Sequence, residues 1–485
     1  MLPLLPARES IPIAVVRIYF IGICGTAMGN AALLMRALGH EVSGSDTGIY
    51  PPMSDHLRKA GVEILEGWDA VRLAKLKPDL VVIGNVVSRG HPEVEWLLEA
   101  RTTPYVSLPE LLRTRLLINR QNLVVAGTHG KTTTTCMAAV LLRSHGADPG
   151  WLVGGVPRDL PDSSSPGKDG GAFVIEGDEY DSAFFDKRSK FIQYLPRVLA
   201  LNNIEFDHAD IFRDLEDVLR TFSHVIRLVP RDGAIVANGD DANVSRLLTS
   251  VTYCPVIRVG TGQSNDCVIA DFKEDAAGSS FRLIWRGREW GRVQWALSGL
   301  FNARNAAIAA VASGIMIQRE DPTCLKLTSL NAFQGVMRRQ QVLSESSKLI
   351  AIEDFGHHPT ALACTLESLR ARYPNHVLVA CFEPRSNTAA RKVLQDGFRK
   401  ALALADVTLI SAPHRAEKLG AESFDSLGVS AELVSSGRQA FSLTSPEELL
   451  IKLRTVLSGL DKPACVIFFS NGSFGGIIPR FVSGK

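Results

Sequence analysis

The sequence predicts an α/β protein of three units in series, each a largely parallel sheet flanked by helices. Three observations lead there. Short apolar, β-branched runs alternate with helical stretches along the chain, the pattern of parallel strands joined by crossover helices. Glycine-rich turns follow two of these runs, at residues 22 and 127. The chain has 485 residues, and roughly 150 residues per domain gives about three domains.

In the first unit, strands are expected at 15–23, 41–45 and 80–83, with a glycine turn at 22–29, a helix at 31–38 and another at 108–117. A polar break at 119–122 sets the first boundary, so the unit is 1–119, a Rossmann-like parallel sheet. The second unit, 120–337, is a P-loop ATPase-like α/β domain. Its strands are expected at 123–126, 172–175, 198–201 and 234–237, with a mobile Ser/Gly/Pro loop at 161–171 and a small β-rich patch at 268–297. The third unit, 338–485, is Rossmann-like again, with strands at 349–353, 377–381, 407–410 and 465–469.

Composition narrows the function. The chain is 46% hydrophobic and 21% charged, which excludes wholesale disorder and collagen. Lys and Arg total 53 against 51 Asp and Glu, a net +2 that argues against a nucleic-acid or anionic-membrane binder. Eight scattered cysteines without a C-x-x-C pair suggest a reducing cytoplasm. The uncharged stretch 18–35 is long enough for a membrane span, but Gly22, Gly25 and Gly29 interrupt it. Residues 1–11 do not resemble a signal peptide, because Arg8 and Glu9 follow the first apolar residues.

The sharpest chemical signal is Gly127-Thr128-His129-Gly130-Lys131-Thr132-Thr133, placed after an apolar strand and opening a helix. Glycines let backbone N–H groups close on phosphate oxygens at a helix N-terminus; Lys131 would reach the terminal phosphates and Thr132 a Mg²⁺ ion. Val125 stands where the standard motif has glycine. The earlier turn, Gly22 to Gly29, carries Cys24 at the second position of a dinucleotide fingerprint. With Asp46 ending the next strand, it suits a diphosphate ligand without specifying NAD. Glu176 closes the strand before Asp178, Glu179 and Asp181, and could complete a Mg²⁺ shell with Thr132, while some of the later carboxylates read as a solvated loop. His208, after the strand 198–201, is a second candidate ligand.

Together Gly127–Thr133, Glu176 and Asp207-His208 resemble the Mur ligase family of ATP-dependent amide-bond formers. The resemblance continues through Gly299-Leu300-Phe301-Asn302-Ala303-Arg304-Asn305, Met337-Arg338-Arg339 and Glu353-Asp354-Phe355-Gly356-His357-His358-Pro359. The segments at 50–53, 179–189, 383–388 and 470–476 are similar to members that act in murein recycling, joining UDP-N-acetylmuramate to L-alanyl-γ-D-glutamyl-meso-diaminopimelate. Members that add the first L-alanine to UDP-N-acetylmuramate are the alternative, with folylpolyglutamate synthase-like enzymes also near.

The resemblance implies ATP and Mg²⁺ as cofactors and an acyl phosphate intermediate, in a cytoplasmic monomer or weak dimer with no nucleic-acid or membrane partner. It assigns catalysis to Lys131, Glu176, His208, Arg338 and His357, with Arg339 as the alternative to Arg338. ATP would meet residues 127–133 with Asn302, Asn305, Arg338 and Asp354. The UDP-sugar would meet Gly22, Gly25, Thr26, Asp46 and Asn85, and the peptide Arg385, Ser386 and Asn387. Metal ligands would be Thr132, Glu176 and His208. The carbamylated lysine some members carry has no counterpart, since Ser223 occupies its spacing, and Phe301 replaces a common histidine. Asp354 could instead cap a turn, and His357-His358 could face solvent. A nicotinamide oxidoreductase would leave the phosphate loop unexplained, and a P-loop motor would want a basic stripe.

Overall fold

The computed structural model describes residues 14–484; the segment 1–11, read above as no signal peptide, lies outside them. Strands β1 (Arg17–Ile21), β2 (Glu41–Asp46), β3 (Glu63–Glu66), β4 (Leu80–Ile83) and β5 (Tyr105–Ser107) form a parallel sheet in the order β3-β2-β1-β4-β5. Every residue of β4 is buried, because helices cover both faces of the sheet. Strand order reverses between β1 and β4, where α/β sheets take their ligands. The uncharged stretch resolves into β1, a turn and the helix Thr26–Ala37.

The central sheet is built from β6 (Gln121–Ala126), β7 (Gly150–Leu152), β8 (Ser164–Ser165), β9 (Ala172–Gly177), β12 (Val198–Leu201), β13 (Ala234–Asn238), β14 (Val256–Gly260), β15 (Cys267–Asp275), β16 (Gly278–Trp285) and β17 (Arg288–Trp295). A separate hairpin pairs β10 (Asp181–Ala183) with β11 (Asp186–Ser189). The β-rich patch is no separate layer: β15–β17 extend the central sheet as an antiparallel meander. Within the Ser/Gly/Pro loop, β8 pairs with β7 and finishes the opposite edge. Under the sheet, the helix Leu300–Ile317 packs on the helix Lys131–Ser144. Its buried Ala303, Ala306, Ala307 and Ala310 keep that contact close. It is long and apolar enough to cross a membrane, yet 72% of it is buried inside the protein, as befits a core helix.

The third sheet contains β18 (Gln341–Glu345), β19 (Leu349–Asp354), β20 (Val377–Phe382), β21 (Val407–Ser411), β22 (Gln439–Leu443) and β23 (Ala464–Phe469), in the order β18-β19-β23-β20-β21-β22. Only β18 runs antiparallel within it. The break near residue 119 is not a break in packing. Leu111 and Leu112 of the first unit share one apolar core with Phe191 and Phe222 of the second.

Candidate functional site

The carboxyl ends of β6, β9 and β12 lie side by side, with Ala126 paired to both Gly177 and Leu201. The phosphate loop, the acidic segment and the Asn202–His208 segment therefore leave the sheet together, as the ligand face of an open α/β sheet requires. They line a cavity of about 1600 Å³ that Gly25 and Thr26 also reach from the first unit, and Arg338, Arg339 and Asp354 from the third.

Glycine is required at position 130. Its φ is +80°, and a Cβ there would lie 2.5 Å from Asn305 Oδ1 and 2.8 Å from Asn202 Nδ2. Asn202 Nδ2 in turn donates to Thr134 Oγ1 at 2.9 Å, pinning the loop to the helix it opens. Asn302 and Asn305 are buried beside it; Asn302 Nδ2 donates to the Ser298 carbonyl.

Lys131 Nζ donates to the Gly127 carbonyl at 2.7 Å and to Glu179 Oε2 at 2.8 Å. Glu179, expected among loop carboxylates open to water, is buried at 2% exposure. His208 Nε2 meets its other oxygen at 2.9 Å. Burial opposes the charge on each of the three, and their mutual attraction outweighs it. Lys131 and His208 are consequently raised in pKa and Glu179 is lowered. Tyr180 packs its ring on His208 with centroids 4.2 Å apart.

Thr132 Oγ1 donates to Glu176 Oε2 at 3.0 Å, and Gly154 N–H to Glu176 Oε1. Burial pushes the Glu176 carboxyl up in pKa, so the site is one that a cation would relieve. An oxygen pair beside a phosphate loop fits Mg²⁺. His208 lines the same cavity, with its Nε2 engaged by Glu179.

Arg338 and Arg339 play different parts. Arg338 donates to Glu353 Oε1 at 2.7 Å and to the Ser470 and Gly472 carbonyls, which ties it into the third unit. Arg339 lies over the Phe355 ring at 4.6 Å, and its charge is felt by Asp354 and Glu176. Asp354 lines the cavity and also caps its own turn, accepting from Gly356 N–H at 2.6 Å and Gln340 N–H at 2.7 Å. The reading of His357-His358 as solvent-facing is corrected: His358 is buried at 5% exposure, and His357 Nδ1 faces the Phe355 carbonyl at 3.1 Å inside the cavity lining.

Several expected residues are not brought to this cavity. Gly22, Asp46 and Asn85 do not line it; Asp46 accepts from Cys24 and Gly48 N–H, each at 2.8 Å, and so shapes the turn. Arg385, Ser386 and Asn387 lie outside the lining as well. Asn387 Nδ2 donates to Asp210 Oδ2 at 2.7 Å, and Ser386 Oγ accepts from Ala389 N–H. Ser223 is on the helix Leu215–Ile226 with its hydroxyl donating to Arg220. Sequence reasoning missed Glu179, Asn202 and Glu205. A buried lysine needs a buried counter-charge, and that requirement is the signal that points to Glu179.

Residues 17–116 match the Mur ligase family catalytic domain, and residues 125–313 the Mur ligase middle domain. The chain is 38% identical, over 96% of its length and 98% of the relative's, to the UDP-N-acetylmuramate--L-alanyl-gamma-D-glutamyl-meso-2,6-diaminoheptandioate ligase of Escherichia coli K12. It is 31% identical, over 92% of its length and 95% of the relative's, to a UDP-N-acetylmuramate--L-alanine ligase of Desulfitobacterium hafniense. The crystal structure of a murein peptide ligase from Psychrobacter arcticus superposes with a TM-score of 0.70 at 35% identity, covering 96% of this chain and 98% of that one.

Proposed function

Because the chain belongs to the Mur ligase family, we propose that it is an ATP-dependent ligase joining UDP-N-acetylmuramate to L-alanyl-γ-D-glutamyl-meso-diaminopimelate in murein recycling. The observation that carries the reading is the single cavity shared by the phosphate loop, the open end of the first unit's helix and Arg339 of the third unit. The helix Thr26–Ala37 has no side-chain cap. Its free N–H groups and dipole suit the diphosphate of a UDP-sugar.

In this reading the muramyl carboxylate takes the γ-phosphoryl group of ATP, and the peptide's free amine displaces phosphate from the acyl phosphate. Phosphoryl transfer asks the protein mainly for positioning and charge. The backbone of residues 127–130 cradles the phosphates. Lys131 swings from Glu179 to the terminal phosphate, and Glu179 keeps the freed site neutral by holding protonated His208. Mg²⁺ held by Thr132 and Glu176 would supply further positive charge beside the transferring group. Arg339 faces the same region from the third unit, and Asp354 suits a ribose hydroxyl. Closure of the third unit excludes water that would hydrolyse the acyl phosphate. The enzyme works in the cytoplasm as a monomer or weak dimer.

The D. hafniense relative supports a second reading, ligation of free L-alanine. ADP release with UDP-N-acetylmuramate separates the two: the tripeptide is expected to turn over and free L-alanine is not. Turnover with alanine alone overturns the recycling assignment.

A further inference from the structure

His129, Glu205 and His358 converge where the central and third units meet. One ligand atom from each lies within 4.8 Å of the other two. His129 Nε2 is 2.8 Å from Glu205 Oε2, and His358 Nδ1 is 3.3 Å from the same oxygen. The two imidazoles pack with centroids 4.6 Å apart.

The surrounding bonds fix which atoms face inward. His358 Nε2 lies 3.2 Å from the Phe206 carbonyl, an acceptor, so that nitrogen carries the proton. His358 Nδ1 accepts a long 3.3 Å bond from Thr360 N–H and therefore carries no proton. Glu205 Oε1 accepts from the Thr360 hydroxyl at 2.9 Å. Glu205 Oε2 and His358 Nδ1 are thus two acceptors facing each other with no proton between them, a repulsive arrangement in a site of low local dielectric. A cation between these atoms would relieve it.

We propose that His129, Glu205 and His358 form a divalent transition-metal site of the zinc class, separate from the oxygen pair of Thr132 and Glu176. Two imidazole nitrogens and one carboxylate oxygen suit zinc and leave a fourth position open, whereas Mg²⁺ prefers oxygen donors. Ligating imidazoles usually donate their other N–H to a carbonyl or carboxylate, as His358 does to Phe206. Binding displaces the proton on His129 Nε2, which passes through solvent to Nδ1, so that a neutral imidazole offers its Nε2 lone pair to the metal. Because His358 begins the third unit's helix Pro359–Arg372 and His129 is in the phosphate loop, an occupied site clasps the two units together. Zinc would then slow any turnover that needs the third unit to open.

The test uses the full chain, stripped of metal and held in millimolar Mg²⁺, titrated with zinc by calorimetry and with Co²⁺ by visible absorption. One zinc per chain is expected, retained in His208→Ala and weakened at least about tenfold in both Glu205→Gln and His358→Gln. The Co²⁺ absorption bands should vanish in the same two variants. Should His358→Gln fail to fold, Glu205→Gln, at a partly exposed position, decides alone. Absence of saturable zinc binding overturns the proposal. So does binding that His208→Ala abolishes while Glu205→Gln leaves it intact, since the ion would then sit with the phosphate-side ligands.

Discussion

Lys131 Nζ and Glu179 Oε2 are 2.8 Å apart, the carboxylate buried and the lysine partly so, and the second oxygen of that carboxylate receives His208. The phosphate-loop cation is thus stored against an anion until a stronger anion arrives. Glu179→Gln should lower kcat/KM by about 100-fold, because Lys131 and His208 lose their common partner. It should also cost about 3 kcal/mol of stability, since a buried cation is left unpaired. Coupled ADP-release kinetics and urea melts check both. A loss no larger than that of a surface substitution would remove Glu179 from the site.

Thr132 and Glu176 share the oxygen pair assigned to Mg²⁺. Thr132→Val is expected to raise the Mg²⁺ concentration for half-maximal rate by about tenfold or more while leaving the fold intact. A Mg²⁺ titration of initial rates gives the answer. An unchanged midpoint would place the ion elsewhere.

Gly130→Ala puts a Cβ on a positive-φ residue and into Asn305 and Asn202. The strain and the collision should destabilise the protein by about 1–3 kcal/mol. ADP affinity, measured by calorimetry, should fall with it because the loop no longer closes on the phosphates.

Arg338 and Arg339 both line the cavity, but only Arg338 is bonded to the third sheet's Glu353 and to the Ser470 and Gly472 carbonyls. Arg339→Ala should reduce kcat by about 100-fold with little change in melting temperature, and Arg339→Lys should recover only part of it. Arg338→Ala should mainly lower the melting temperature, because its bonds to Glu353, Ser470 and Gly472 hold the linker to the third sheet. The opposite outcome would exchange the two roles.

Histidine 40 makes the first unit sensitive to acid. His40 Nδ1 accepts a bond from Val16 N–H, and burial lowers its pKa below the ordinary histidine value near 6.5. On acidification through 6.5 the unfolded chain gains a proton that the folded chain refuses, so stability is lost as pH falls. The melting temperature should drop between pH 7.5 and pH 5.5, and His40→Gln should flatten that slope.

The residues alone determined the strand-turn-helix at 121–144 and the three-sheet plan, and they singled out Lys131, Thr132 and Glu176 as one cluster. Local pattern suffices there, because a buried parallel strand followed by a glycine turn has few other ways to fold. Short or weakly apolar strands such as β3 and β5 escaped notice, having too little periodicity to stand out. Only the tertiary structure decided which of the clustered carboxylates is buried against Lys131, which groups each of two adjacent arginines touches, and that His129 meets His358. Those outcomes depend on the register of β6 against β9 and β12 and on how the third unit sits over the second. Both arise from contacts between residues far apart in the chain, which no stretch of it specifies by itself.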